Sequence, residues 1–148
     1  VRRQRLDHAH KTALDLVRTH DVIAHEDLKI CNMSKAPAAR PDPDQAGVFL
    51  PNGAAAKAGL NRSIADTGWG VFLTILHAKA EGAGREVIAV DPRNTSRQCP
   101  PCGHIAKENR PTQEKFHCVA CGHTAHADVV GASNVLRAGL ARRQAQPA

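Results

Sequence analysis

The chain has 148 residues, enough for one domain plus a small insertion and too few for two full-sized domains. Twenty Lys and Arg against 14 Asp and Glu give a net charge of +6, which favours polyanionic partners, nucleic acid first. Aromatic residues make up 3% with no Tyr, which excludes base stacking as the main source of affinity, and no run of about twenty apolar residues is present to span a membrane.

Leu6, Ala9, Ala13, Leu16 and Val17 recur at helical spacing and predict an amphipathic helix over residues 3–19. Val22, Ile23, Ala24 and His25 form a short apolar run that predicts a strand ending at Glu26. Residues 34–57 hold four prolines and two glycines without periodicity and read as a long loop. Asn61 is placed to cap a second helix whose apolar face carries Ile64, Phe72, Ile75, Leu76 and Ala80, weakened by Gly68 and Gly70 at about 1 kcal/mol each. Val87–Val90, bounded by Glu86 and Asp91, reads as a strand buried on both faces. Helix, strand, loop, helix, strand in that order predicts an α/β layer with two parallel strands. A closing helix is expected to bury Val129, Ala132, Leu136 and Leu140.

Between the second strand and that helix lie two C-x-x-C pairs, Cys99 with Cys102 and Cys118 with Cys121. Each pair puts two thiolates on one side of a tight turn, and two such turns complete a tetrahedral S4 site suited to zinc. Gly103 and Gly122 follow the second cysteine of each pair, where a positive φ is easily adopted. His104, His117, His123 and His126 lie nearby, but four thiolates already satisfy the metal. A chain without a charged-then-apolar leader pattern is expected to be cytoplasmic, where thiols stay reduced. Cys31 is left over and is expected to be inert.

Two acids stand out. Glu26 ends a buried-looking strand and is either a surface residue or a metal ligand in the crevice outside the sheet's carboxyl edge. Asp128 sits where the closing helix begins and, on its position alone, is a helix cap. Basic residues cluster around the opening helix (Arg2, Arg3, Arg5, Lys11), around the cysteines (Arg93, Arg97, Lys107, Arg110, Lys115) and at the end (Arg137, Arg142, Arg143). They would hold a nucleic acid mainly through its phosphates. Thr95, Ser96 and Arg97 lead into the first cysteine pair, in a turn or on a phosphate.

Four segments resemble a known family in its own order: HDVIAHEDLKICNM (His20–Met33), AGLNRSIADTGWGVFLTILHAKAEGAGREVIAVDP (Ala58–Pro92), NTSRQCPPCGH (Asn94–His104) and FHCVACGHTAHADVVGASNVL (Phe116–Leu136). The chain is similar to the C-terminal half of the TnpB (OrfB) proteins of bacterial insertion sequences, relatives of type V CRISPR effectors. The resemblance implies an α/β, partial RNase H-like (RuvC-type) layer over residues 1–93 with loop 34–57, a four-cysteine zinc ribbon inserted at 94–125, and a final core helix at 126–142.

It further implies RNA-guided cleavage of DNA, with DNA and a guide RNA as partners. Glu26 and Asp128 match the second and third acids of a Mg-binding catalytic set, and Cys99, Cys102, Cys118 and Cys121 match the ribbon's zinc ligands. No residue corresponds to the family's first acid; Asp7 and Asp15, on the opening helix, are not placed for it. Val130 stands where the family often has Asn. The resemblance therefore describes a catalytically inactive fragment of a nuclease, and the alternative is a stand-alone zinc-ribbon module that binds nucleic acid without catalysis.

Overall fold

The structure, a computed structural model, describes residues 2–145. Its elements in chain order are α1 (Arg2–Thr19), β1 (Val22–Glu26), α2 (Ile30–Met33), β2 (Arg40–Pro41), β3 (Phe49–Leu50), α3 (Ala54–Thr67), α4 (Trp69–Gly82), β4 (Glu86–Val90), a 3-10 turn (Lys107–Asn109), β5 (Lys115–His117), β6 (Thr124–His126) and α5 (Ala127–Ala145). Among the described residues they divide into two compact units, one of residues 2–15 with 29–79 and one of residues 16–28 with 80–145. No helix among the described residues is long and apolar enough to cross a membrane.

In the first unit the region expected as one loop, 34–57, is shorter and partly paired. Arg40–Pro41 runs antiparallel to Phe49–Leu50, and α3 already begins at Ala54. Asn52 organises this entry: its Oδ1 accepts from the Ala54 N–H at 3.2 Å and its Nδ2 donates to the Ala38 carbonyl at 2.9 Å. Asn61 is therefore no cap. It lies inside α3 and donates to the Ser34 carbonyl at 2.6 Å. The single helix expected beyond it is two helices, because Gly68 takes φ +62° and ends α3, and α4 starts at the next residue. A left-handed residue reverses the carbonyl direction and stops the i to i−4 ladder, which a glycine allows without strain.

The second unit is built on β1 and β4, paired in parallel from Val22 opposite Glu86 to Glu26 opposite Val90. Burial alternates along β4, with Ile88 and Val90 inside and Val87 and Ala89 half-buried, so one face is covered rather than both. Helix α5 packs on this pair, where Val135 joins Ile88 and Val90 beside Val22 and Ala24.

The buried face of α5 differs from the expected one. Val129, Leu136 and Leu140 are exposed, as is Ala132, and the helix instead buries Ala127, Val130, Asn134, Val135 and Gly139. Two local facts select this face. Gly139 comes so close to β1 that a Cβ there would lie 2.8 Å from the Ala24 Cβ. Asn134 has its amide saturated by backbone carbonyls, which removes the penalty for burying it. Beyond the contact, Arg142 donates to the Ala89 carbonyl at 2.6 Å and Arg143 pairs with Glu86 at 2.7 Å, so this end of the basic cluster fastens α5 to β4.

Candidate functional site

The two cysteine turns repeat one another. In the first, the Cys99 N–H donates to the His104 carbonyl at 2.9 Å and the Gly103 N–H donates to the Cys99 carbonyl at 2.8 Å; in the second, Cys118 and His123, then Gly122 and Cys118, do the same at 2.8 and 2.9 Å. Gly103 and Gly122 take φ +74° and +75°, and their N–H groups bond carbonyl oxygens. Asn109, fully buried, locks the two turns together: its amide nitrogen donates to the Arg97 and His104 carbonyls at 2.9 and 3.1 Å, and its Oδ1 accepts from the Val119 N–H at 3.0 Å.

The four sulfurs lie within 4.8 Å of one another. Cys99 to Cys121 and Cys102 to Cys118 are both 3.6 Å apart. Bonds of about 2.3 Å to a tetrahedral zinc imply sulfur separations of about 3.8 Å, whereas a disulfide needs about 2.05 Å. The donor set thus fits a metal ion such as zinc. Burial pushes the Cys99 thiol up to about 12. Burial also acts to raise Cys118, but the N–H groups of Cys121 and Ala120, then the thiols of Cys102 and Cys99, hold it down at about 6. Phe116 and Val130 close the inner side of the ribbon against Cys99, Cys118 and Ala127. The valine that departs from the family pattern is 1% exposed and packs there.

Glu26 stands at the carboxyl end of β1, half-buried, with Oε1 2.6 Å from the Thr95 hydroxyl. Asp128 is the second residue of α5, and its side chain is 78% exposed. Its own N–H donates to His126 Nδ1 at 3.2 Å, so the group serving the helix start is the imidazole. Glu26 and Asp128 line one open cleft of about 600 Å³ together with Thr95, Ser96 and Arg110. Arg110 and His126 each approach Asp128 at 3.9 Å, and Arg110 also donates to the Gln113 carbonyl at 2.7 Å. Asp7 and Asp15 do not line this cleft. Carboxylates from two elements facing one open space can hold a hard divalent cation, and an arginine at its rim can pair with a phosphate.

Thr95 and Asn134 were not legible as part of this surrounding, and Arg110 was legible only as one cation among many. The available signal for Asn134 was its helical spacing from Ala127 and Val130, which carries no meaning until the buried face of α5 is known.

Residues 69–135 match the family model described as Cas12f1-like, TNB domain. The fold is that of Cas12 nuclease structures: CasPhi-2 (Cas12j) bound to crRNA and phosphorothioate DNA superimposes with a TM-score of 0.59 at 20% identity, over 93% of this chain and 19% of that one. Over most of its length the chain is similar to TnpB and Cas12f-like proteins. Among its individual relatives, the putative RNA-guided DNA endonuclease InsQ of Escherichia coli K12 is 46% identical over 137 residues, 93% of this chain and 33% of InsQ. The CRISPR-associated endodeoxyribonuclease Cas12f1 of Sulfoacidibacillus thermotolerans is 49% identical over 57 residues, 38% of this chain and 14% of that protein. The chain thus spans about a third of the length of InsQ.

Proposed function

We propose that this chain forms the metal-binding part of a transposon-associated, RNA-guided DNA endonuclease. In this reading residues 1–93 and the helix over 126–142 make an RNase H-like (RuvC-type) layer, and residues 94–125 are a zinc ribbon inserted into it. The parallel β1–β4 pair covered by α5 and the paired cysteine turns support that division. DNA and a guide RNA are the partners, a reading supported by relatives named as RNA-guided DNA endonucleases and by the basic charge of the chain.

The observation that carries the proposal is that Glu26 and Asp128, from distant parts of the chain, line one cleft beside the ribbon. Their carboxylates supply hard oxygen ligands for Mg, Arg110 supplies a positive charge for the phosphodiester, and Cys99, Cys102, Cys118 and Cys121 hold a structural zinc. When bound, Mg would activate a water and stabilise the leaving oxygen of the phosphodiester. With two carboxylates lining the cleft among the described residues, the chain by itself is proposed to bind nucleic acid without cutting it, since an interdependent site loses most of its rate when one member is missing.

The test is Mn(II) titration of the purified chain followed by electron paramagnetic resonance, with Mn standing in for Mg, alongside a Mg-dependent DNA cleavage assay. Glu26→Gln and Asp128→Asn should each abolish most of the Mn binding while DNA binding persists. Unchanged Mn affinity in both variants would remove the carboxylate assignment. Cleavage by the chain alone, lost in Glu26→Gln, would overturn its inactivity.

A further inference from the structure

Glu26 is connected to the cysteine cage by an unbroken set of hydrogen bonds running through the turn after β4. The Thr95 hydroxyl lies 2.6 Å from Glu26 Oε1 and 3.0 Å from the Pro92 carbonyl oxygen. It has one proton, and the nearer, charged acceptor takes it, so Thr95 donates to the carboxylate. The turn is tight: Asn94 adopts φ +63°, and its carbonyl accepts from the N–H groups of Arg97 and Gln98, both at 2.9 Å.

Asn134 on α5 grips the same turn from inside the protein. It is 4% exposed and spends both amide protons on backbone, donating to the Thr95 carbonyl at 2.7 Å and the Gln98 carbonyl at 2.8 Å. Its Oδ1 accepts from Arg137 at 2.9 Å, and the other terminal nitrogen of Arg137 donates to the Pro100 carbonyl at 3.0 Å. Pro100 lies inside the first cysteine turn, and Gln98 pairs across that turn with Ile105.

We infer that Thr95 and Asn134 are positioning residues that make the placement of Glu26 depend on the metal held by the first cysteine pair. Thr95 fixes the rotation of the carboxylate by occupying one lone pair of Oε1 and leaves the remaining lone pairs for a cation. Asn134 sets the Thr95 backbone, and its two amide bonds form together only while residues 95–100 keep the shape imposed by Cys99 and Cys102 on a shared ion. The ribbon is thereby a structural condition for the cation site as well as a neighbour of it. This inference rests on Glu26 being a cation ligand.

The experiment measures Mn(II) affinity by electron paramagnetic resonance, and zinc content in parallel, on the whole chain and on Thr95→Val, Thr95→Ser, Asn134→Asp and Glu26→Gln. Thr95→Val, close in shape, should weaken Mn(II) binding about ten-fold with zinc content unchanged, and Thr95→Ser should restore it. Stripping zinc with a zinc-selective chelator should weaken Mn(II) binding in the unaltered chain and add little in Thr95→Val, because the connection is already cut there. Asn134→Asp, which lacks the amide protons, should behave as Thr95→Val does. Wild-type affinity in Thr95→Val, failure of Thr95→Ser to restore it, or an equal effect of zinc removal in both backgrounds would overturn the inference. If Glu26→Gln abolishes Mn(II) binding while Thr95→Val leaves it intact, only this inference falls; if Glu26→Gln has no effect, the cation reading falls with it.

Discussion

Replacing Gly139 by alanine tests how α5 meets the sheet. Alanine in a helix interior is favoured over glycine by about 1 kcal/mol, so propensity alone predicts stabilisation. The new Cβ, however, would lie 2.8 Å from the Ala24 Cβ, with Val90 Cγ1 at 3.8 Å and the Ala24 Cα at 3.9 Å. Non-bonded carbons settle at about 3.5–4.0 Å, so helix and strand must separate by about 1 Å across a contact that also holds Val135 against Ile88 and Val90. Such overpacking costs about 1–3 kcal/mol, which offsets or exceeds the propensity gain and leaves Gly139→Ala between neutral and destabilised by about 2 kcal/mol. Gly131 on the same helix is the control: a Cβ there meets nothing within 4 Å, so Gly131→Ala should stabilise by about 0.5–1 kcal/mol. Urea denaturation at constant m value measures both. Adding Ala24→Gly to Gly139→Ala removes the clashing methyl and should recover part of the loss. Equal stabilisation by the two glycine replacements would refute the close approach of α5 to β1.

Asn109→Ala strips partners from the Arg97 and His104 carbonyls and the Val119 N–H in a fully buried setting, at a cost of roughly 2–4 kcal/mol; it should loosen zinc retention against a competing chelator, and unchanged retention would show that the two turns hold together without it. Cys99→Ser with Cys118→Ser removes one ligand from each turn and should eliminate stoichiometric zinc, measured by elemental analysis; full zinc in the double variant would exclude the four-sulfur site. In the metal-free chain Cys118 should ionise before Cys99, at about 6 against about 12, as followed by thiolate absorbance in single Cys→Ser variants. Because folding holds Cys118 below its ordinary 9.0, the stability it contributes is complete above that value and is lost as pH falls through about 6; a Cys99 thiolate appearing before that of Cys118 would contradict this order.

The elements legible in the sequence are those whose signal is local. The strand from Val22 to Glu26 and that from Glu86 to Val90 appear where the apolar runs place them, and they pair in parallel as the helix between them suggests. The cysteine spacing foretells a four-sulfur cluster because each C-x-x-C turn is closed by its own backbone bonds. Helix breaks were harder: the sequence reads Gly68 and Gly70 as weak points within one helix, yet Gly68 adopts a positive φ and ends α3, and Asn52 rather than Asn61 serves the start of α3.

Residue type and spacing by themselves determined the cysteine framework and the two parallel strands, since turn geometry and periodicity act over a few residues, whereas Asp128 became a candidate only through the family resemblance. Only the tertiary structure decided which face of α5 is buried. Hydrophobicity is spread almost evenly round α5, and the face carrying Val130 and Val135 is buried, rather than that carrying Val129, Leu136 and Leu140, through the close approach at Gly139 and the hydrogen bonds of Asn134. That choice also decides which groups surround Glu26, because a carboxylate's partners are set by distances between segments remote in sequence, which no local pattern encodes.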